Sequence, residues 1–201
     1  MERRGIFPGT FDPVTLGHLD VLKRALHLFD HITVAVAPSD RYHKHTLFSL
    51  EERIDMVREA IPQTMRSRVE ITSLDGLLAD FARARGVRAV VRGLRFISDF
   101  EYEFQMALTN QKLWPELDTV FLMPNEKYSF VNSSLVKEIA RHRGDVRALV
   151  PTAAARSLKE RFRKEEALKR NAEKVKRRGT ATTKAAATKP NAGRAGGRRD
   201  S

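Results

Sequence analysis

The chain has 201 residues, of which 41% are hydrophobic, and a formal net charge of +12; this size fits one domain with room for an appendage. It contains no cysteine, which excludes disulfides, thiolate zinc sites, iron–sulfur clusters and cysteine nucleophiles. No apolar run approaches the roughly 18–20 residues of a membrane helix, and the N-terminus lacks the apolar segment of a signal peptide, so we expect a soluble, cytoplasmic protein.

The positive charge is concentrated near the C-terminus. Residues 1–155 carry 21 Lys or Arg and 20 Asp or Glu, whereas residues 156–201 carry 16 and 5, a net charge of +11. From about Lys176 onward no large apolar residue occurs, and such a segment cannot bury enough surface to offset the entropy lost on ordering. We therefore predict a folded domain over residues 1–162 and a basic extension over 163–201 that is disordered from about residue 176.

Five short apolar or β-branched runs predict five strands. Several of them are continuous apolar runs, as expected for parallel strands that are covered on both faces. In chain order the predicted strands are Gly5–Phe7, Ile32–Ala37, Val69–Ile71, Ala89–Val91 and Thr119–Met123.

Helical patterns separate the predicted strands and follow the last one. They lie within residues 19–29, 50–61, 77–81, 100–113, 135–142 and 153–162. Ser49 and Glu52 form a capping box at the start of the second helix, and Ser133 and Ser134 are candidate caps of the fifth. The apolar positions of the second helix are Ile54, Val57 and Ala60. The alternation predicts a doubly wound, mostly parallel five-stranded α/β sheet with ligands beyond the carboxyl ends of its strands.

The junction between the first strand and the first helix, residues 7–18, has the features of a phosphate site. Gly9 permits close backbone approach, Thr10 offers a hydroxyl, and the helix N-terminus offers free amides and the positive end of the dipole. His18 lies at the start of that helix; a lone histidine there is commonly a polar cap, but the surrounding loop favours a binding role. The helix N-terminus favours neutral imidazole and a bound phosphate favours imidazolium, so its protonation state stays open.

Residues 8–13 (PGTFDP) and 15–18 (TLGH) resemble the (H/T)xGH signature of the nucleotidyltransferase superfamily. Three further blocks are similar to the bacterial phosphopantetheine adenylyltransferase family: residues 91–95 (VRGLR), 99–103 (DFEYE) and 128–138 (YSFVNSSLVKE). The resemblance implies a Rossmann-like nucleotidyltransferase fold and direct in-line transfer of the adenylyl group of ATP to 4′-phosphopantetheine. The implied products are dephospho-coenzyme A and pyrophosphate, with Mg²⁺ accompanying the nucleotide. The resemblance also implies homohexamers and feedback by coenzyme A.

The same resemblance gives individual residues a role. It implies that His18 acts at the α-phosphate, that Thr10 lies between the two substrates, and that Lys44 lies at the reacting centre, with Arg41 as the competing cation of the same loop. The implied phosphopantetheine contacts are Thr10, Lys44, Leu78 and Arg92. The implied ATP contacts are Thr10, Phe11, His18, Gly93, Leu94, Arg95, Glu103, Tyr128, Ser129, Phe130, Val131, Asn132, Ser133 and Ser134.

These residue types suit the implied reaction. The nucleophile is a phosphate oxygen that is already anionic, so the enzyme must mainly align it and neutralise charge. The Arg95 guanidinium can bind two phosphate oxygens at once. Helical spacing alone would make Leu78 a core residue and Glu103 a surface residue. No carboxylate cage is evident, so we expect Mg²⁺ to be held largely by the nucleotide and water.

Two alternative functions are compatible with parts of the sequence. A related nucleotidyltransferase would use another phosphate acceptor, such as nicotinamide mononucleotide or glycerol phosphate; the block at residues 131–138 favours phosphopantetheine. The basic extension predicts weak, salt-sensitive contact with polyanions such as nucleic acids. It has no aromatic residue after Phe162 and so no platform for base stacking. A solubilising extension without a partner is an equally simple interpretation.

Overall fold

A five-stranded, all-parallel sheet forms the centre of the fold. The computed structural model describes residues 2–38, 46–95 and 97–186, without the side chains of residues 97–99 and 173–186. The strands are β1 (Arg4–Gly9), β2 (His31–Val36), β3 (Val69–Ser73), β4 (Ala89–Gly93) and β5 (Asp118–Leu122). Their order in the sheet is β3-β2-β1-β4-β5, which confirms the predicted doubly wound α/β architecture.

Helices connect the strands and follow the last one. They are α1 (Leu16–Leu28), α2 (Leu50–Ala60), α3 (Leu78–Ala84), α4 (Ile97–Leu113), α5 (Glu126–Ser129), α6 (Ser133–Arg141) and α7 (Thr152–Ala186). A 3₁₀ helix, Gln63–Arg68, precedes β3. The 3₁₀ helix and α5 were not predicted, because segments of six and four residues are too short to show a helical period. No helix of the described residues is both long and apolar enough to span a membrane.

The second helix begins where its capping box predicts, and its buried face coincides with the predicted one only in part, at Val57. The Ser49 hydroxyl accepts the Glu52 amide at 3.2 Å, and the Glu52 carboxylate accepts the Ser49 amide at 2.8 Å. The buried residues of α2 are Arg53, Met56 and Val57, whereas the apolar pattern predicted Ile54, Val57 and Ala60. The buried face is therefore rotated toward an arginine, which the apolar pattern does not reveal.

Helix α6, the fifth of the predicted helices, has a different N-cap from the predicted one. The Asn132 side chain accepts the Leu135 amide at 2.8 Å, and its backbone is extended. Ser133 and Ser134 are thus the first two helical residues rather than caps. This correction matters for the site, since amides in the first turn of a helix have no acceptor within the helix.

The C-terminal helix is longer than predicted. α7 runs from Thr152 to Ala186, whereas the sequence predicted helix to about Phe162 and disorder from about residue 176. The backbone of residues 176–186 is helical instead, and seven of these eleven residues are Lys, Arg or Ala, which are strong helix formers. Residues 187–201 lie outside the described part. The chain divides into two units, residues 1–159 and 160–201.

The strand order places a crevice at the carboxyl ends of β1 and β4. The chain leaves β1 toward β2 and leaves β4 toward β5, in opposite directions across the sheet. Ile6 of β1 pairs with Val90 of β4, and both are fully buried. Because the two connections diverge, a ligand can enter between them at this edge. Gly9 and Gly93, which end the two strands, lie at that opening.

Candidate active site

Two adjoining cavities open at this edge of the sheet. The first has a volume of about 380 Å³ and lies between the end of β1, the start of α1 and the start of α6. The second has a volume of about 880 Å³ and lies between the ends of β1 and β4 and helices α3 and α4. Residues lining both cavities are Pro8, Gly9, Thr10, Arg92, Arg95 and Glu103. The pair can therefore hold two ligands in contact, with cations at their junction.

His18 is held at the first cavity by the cap of α1. The Thr15 amide donates to His18 Nδ1 at 3.0 Å, and the His18 amide donates to the Thr15 hydroxyl at 3.3 Å. Because Nδ1 accepts a backbone amide, the proton of the neutral imidazole is on Nε2. Burial, together with the charges of Arg95 and Arg92, lowers the pKa of His18 to about 4. His18 therefore presents a neutral N–H donor.

A tight turn carries Thr10 and Phe11 from the end of β1 to the cavity. Phe11 has a φ of 49°, in the left-handed region that non-glycine residues seldom adopt. Its ring packs so closely on Gly9 that a Cβ there would lie 2.9 Å from the ring. The same ring meets the His18 imidazole edge to face, with centroids 5.0 Å apart. A side chain at position 9 would therefore displace the Phe11 ring, which encloses one side of His18.

Asp12 stabilises the loop from inside. It is buried, and its carboxylate accepts the Leu47 and Phe48 amides at 3.0 Å each. It also accepts a charged hydrogen bond from Lys137 Nζ of α6. Because three donors already use its oxygens, Asp12 joins the loop to the start of α2 and to α6. The Asp12–Pro13 peptide bond is cis.

Arg92 and Glu103 form an ion pair at the junction of the cavities. Arg92 Nε donates to Glu103 Oε2 at 2.6 Å, and Arg92 Nη2 donates to Glu103 Oε1. Arg92 Nη1 donates to the Pro8 carbonyl at 2.8 Å. The Glu103 side chain is only 12% exposed, so the helical spacing that predicted a surface residue was misleading. This bidentate contact fixes the plane of the guanidinium.

The start of α6 faces the first cavity. Asn132, Ser133 and Ser134 line it, and the positive end of the α6 dipole lies there. The Ser133 hydroxyl donates to the Pro13 carbonyl at 2.9 Å. Arg95 Nη1 donates to the Val131 carbonyl at 3.2 Å. A helix N-terminus and an arginine together form a site for phosphate oxygens.

The second cavity is largely apolar. Its lining residues away from the junction include Leu74, Leu77, Leu78, Met106, Ala107 and Leu113. Asn110, which is 6% exposed, also lines it and supplies an amide. Apolar walls with a few polar groups are typical of a site for a small organic ligand.

The structure brings most of the predicted ATP contacts to the first cavity. Those that line it are Thr10, Phe11, His18, Gly93, Arg95, Glu103, Val131, Asn132, Ser133 and Ser134. Four others, Leu94, Tyr128, Ser129 and Phe130, line neither cavity. Tyr128 and Ser129 end the short helix α5, and the Tyr128 carbonyl would lie 3.5 Å from a Cβ at Gly17. These four lie around the site rather than on its walls.

The predicted phosphopantetheine contacts lie at the second cavity as far as they are described. Thr10, Leu78 and Arg92 line it. Lys44 and the competing Arg41 lie outside the described residues.

Sequence reasoning missed three residues that support the loop: Asp12, Arg53 and Lys137. Asp12 and Lys137 lie within the quoted motifs, which was the available signal; nothing in the sequence pattern distinguished Arg53.

Comparisons with known proteins agree with this geometry. Residues 6–139 match the cytidylyltransferase-like family. A phosphopantetheine adenylyltransferase of Thermodesulfovibrio yellowstonii is 48% identical over 164 residues, 82% of this chain and 100% of the relative. The same enzyme of Desulforudis audaxviator is 51% identical over 157 residues, 78% of this chain and 94% of the relative.

A solved structure shares the fold at low identity. It is a protein of Vibrio parahaemolyticus described as a nicotinate-nucleotide adenylyltransferase, with a TM-score of 0.60 and 17% identity over 81% of this chain and 95% of that one. At this identity the similarity concerns the fold alone. The curated relatives, at about half identity over nearly their full lengths, define the family more narrowly. The chain belongs to the cytidylyltransferase-like family and, within it, to the phosphopantetheine adenylyltransferases.

Proposed function

We propose that the chain transfers the adenylyl group of ATP to 4′-phosphopantetheine, giving dephospho-coenzyme A and pyrophosphate. The observation that carries the proposal is the near full-length similarity to enzymes named for this reaction. The two adjoining cavities support it, because they offer a phosphate-binding site and an apolar channel on either side of Thr10. The first would hold ATP and the second the pantetheine arm.

The chemistry requires alignment more than proton transfer. A phosphate oxygen of phosphopantetheine attacks the α-phosphorus of ATP, and the bond to the bridging oxygen breaks as pyrophosphate leaves. Nε2–H of neutral His18 is suited to donate to a non-bridging α-phosphate oxygen, where negative charge must be stabilised. Arg92 at the junction is suited to the incoming phosphate. Arg95 and the first turn of α6 are suited to the β- and γ-phosphates.

Mg²⁺ would come with the nucleotide. Within the described residues no group of three His, Asp or Glu side chains is placed to hold a metal ion. The two carboxylates that line the first cavity, Asp12 and Glu103, are engaged by Lys137 and Arg92. When bound, Mg²⁺ neutralises charge on the phosphates, and the residues present fit an ion carried by ATP and water rather than by a protein cage.

A substrate panel tests this function. Purified full-length chain with ATP and Mg²⁺ is offered 4′-phosphopantetheine, nicotinamide mononucleotide, nicotinate mononucleotide or glycerol 3-phosphate, and adenylylated product is quantified by mass spectrometry. We expect product only with phosphopantetheine. CTP in place of ATP is the matched control for the nucleotide and should give at most a small fraction of the rate. Turnover of another acceptor without turnover of phosphopantetheine would contradict the proposal.

Self-assembly and feedback are further parts of the proposal. Helix α4 exposes the large apolar side chains of Phe100, Phe104 and Leu108, whose four-residue spacing places them on one face of the helix, and such a face is of the kind that marks protein interfaces. We expect a homo-oligomer, with a hexamer as the expected size, and multi-angle light scattering measures it.

Coenzyme A shares the pantetheine arm and the adenine nucleotide with the two substrates, so it is expected to compete for both cavities. The cytoplasm is the expected compartment.

The basic extension supports a second, non-catalytic role. The match to the Thermodesulfovibrio yellowstonii relative covers all of that protein and leaves 37 of the 201 residues here unmatched. The excess positive charge lies in residues 156–201, beyond the residues 6–139 that match the family. We propose that this extension binds the phosphate backbone of nucleic acids, because it has abundant Lys and Arg but few apolar residues to enter a membrane.

Charge neutralisation tests this role in the full chain. Binding to a labelled 20-base-pair duplex is followed by fluorescence anisotropy between 50 and 300 mM NaCl. Replacing Lys174, Lys176, Arg177 and Arg178 by Gln should weaken binding at least tenfold and flatten its salt dependence. The matched control replaces Arg24, Arg58, Arg88 and Arg147 of the body by Gln and should bind like the unaltered chain. Equal losses in both, or binding to anionic vesicles but not DNA, would contradict the role.

A further inference from the structure

A buried arginine of α2 contacts the loop that carries the site. Arg53 is 1% exposed and is the largest of the fully buried side chains. Its Nη1 donates to the Thr10 and Ala37 carbonyls at 2.7 Å each. Its Nε donates to the carbonyls of Phe48 and Ser49 at 3.2 Å each. All four acceptors are backbone oxygens, so one guanidinium joins the chain after β1, the chain after β2 and the start of α2.

Burying the Arg53 guanidinium costs free energy, which its hydrogen bonds must offset. A buried cation loses its hydration, and the desolvation lowers the pKa of Arg53, although an arginine remains charged. An apolar residue would fill the same volume without that cost. Arg53 lines neither cavity, so it has no direct contact with a ligand there. What it determines is the position of the carbonyls that it binds.

The direction of the Thr10 carbonyl determines the direction of the Phe11 amide. In a trans peptide the C=O of one residue and the N–H of the next point in opposite directions, and the Thr10–Phe11 bond is trans. With the Thr10 carbonyl directed inward to Arg53, the Phe11 N–H points away from it. None of the described residues accepts that N–H. Both Thr10 and Phe11 line the first cavity.

We propose that Arg53 is a positioning residue for adenylyl transfer, which sets the Thr10–Phe11 peptide so that the Phe11 amide and the Thr10 side chain meet the substrate phosphates. This inference rests on the proposed function. The left-handed φ of Phe11 is a conformation that needs support from its surroundings, and the Arg53 bond to Thr10 supplies that support. A displacement of about 1 Å at a reacting centre is enough to cost about a hundredfold in rate.

The test compares two Arg→Lys variants of the full chain. Arg53→Lys keeps the charge but cannot reproduce the planar fork. Arg68→Lys is the matched control, because Arg68 also donates only to backbone carbonyls, those of Leu26, Phe29 and Asp30, away from the cavities. Pyrophosphate release gives kcat and KM for each substrate, circular dichroism gives Tm, and calorimetry gives ATP affinity.

A positioning role predicts a specific pattern. Arg53→Lys should remain folded at 25 °C, lose at least tenfold in kcat/KM with most of the loss in kcat, and bind ATP more weakly. Arg68→Lys should lose stability but keep kcat/KM within about twofold. Activity of Arg53→Lys within threefold of the unaltered chain, or an equal loss in Arg68→Lys, would overturn the inference. If Arg53→Lys does not fold, Arg53→Gln is measured in its place. If neither variant folds while Arg68→Lys does, the inference is also overturned, since Arg53 would then serve folding. If the unaltered chain has no transferase activity, the proposed function is refuted instead. The ATP affinities of the variants then still test the positioning role of Arg53.

Discussion

The protonation of His18 gives a prediction whose size can be worked out from its surroundings. The capping bond from the Thr15 amide to Nδ1 requires an unprotonated nitrogen, and burial with the charges of Arg95 and Arg92 lowers the pKa to about 4. The unperturbed pKa of histidine is about 6.5. Between pH 4 and 6.5 the unfolded chain therefore binds a proton that the folded chain does not. The stabilising contribution of neutral His18 is complete above pH 6.5 and is lost as pH falls toward 4.

The magnitude follows from the difference between the two pKa values. About 2.5 pH units correspond to roughly 3 kcal/mol as an upper value. His18 retains some exposed surface at the cavity, so we expect about 1–3 kcal/mol. The matched variant is His18→Gln, because glutamine also completes a capping box with Thr15 but does not titrate. The difference between the free energies of unfolding of the two proteins removes the contributions of other titrating groups.

The assay is urea unfolding followed by the fluorescence of Trp114, the single tryptophan. The free energy of unfolding is measured for both proteins from pH 7.5 to 4.5. We expect the stability of the unaltered chain to fall relative to His18→Gln by about 1–3 kcal/mol as the pH decreases. A constant difference over this range would refute the reasoning. An NMR titration of the imidazole with a midpoint near 6.5, or with the proton on Nδ1, would refute it as well.

Three further substitutions test the supporting contacts. Glu103→Gln weakens the hold on the Arg92 guanidinium and should lower kcat/KM for phosphopantetheine about tenfold, measured by pyrophosphate release. Asp12→Asn leaves Lys137 without its carboxylate and should reduce the free energy of unfolding by about 1–3 kcal/mol in urea; an unchanged value would contradict its anchoring role. Ser49→Ala removes the cap of α2 and should cost about 1 kcal/mol in the same assay, with kcat unchanged.

The sheet and the first loop could be predicted from the sequence because their signals are local. Apolar runs mark parallel strands that are covered on both faces, and Gly9 followed by a helix N-terminus marks a phosphate site. The capping box of α2 is equally local, and the structure confirms it. The resemblance to a family added the roles of individual residues, which periodicity does not contain.

The parts that could not be predicted depend on contacts between distant elements. The pair of Arg92 and Glu103 joins a strand end to a helix, so helical spacing alone placed Glu103 at the surface. Arg53 is buried because carbonyls from three separate segments meet at its guanidinium. The cap of α6 was placed on the serines because Asn132 and its neighbours are all good cap residues, and only the backbone angles distinguish them.

The most direct test of the account is pyrophosphate release from ATP by the unaltered chain and by His18→Ala, each with and without 4′-phosphopantetheine. The account predicts release that requires phosphopantetheine, equals dephospho-coenzyme A formed mole for mole, and falls at least about a hundredfold in the variant. Release without an acceptor, or full activity in the variant, would contradict the assignment of adenylyl transfer to the cavity at His18.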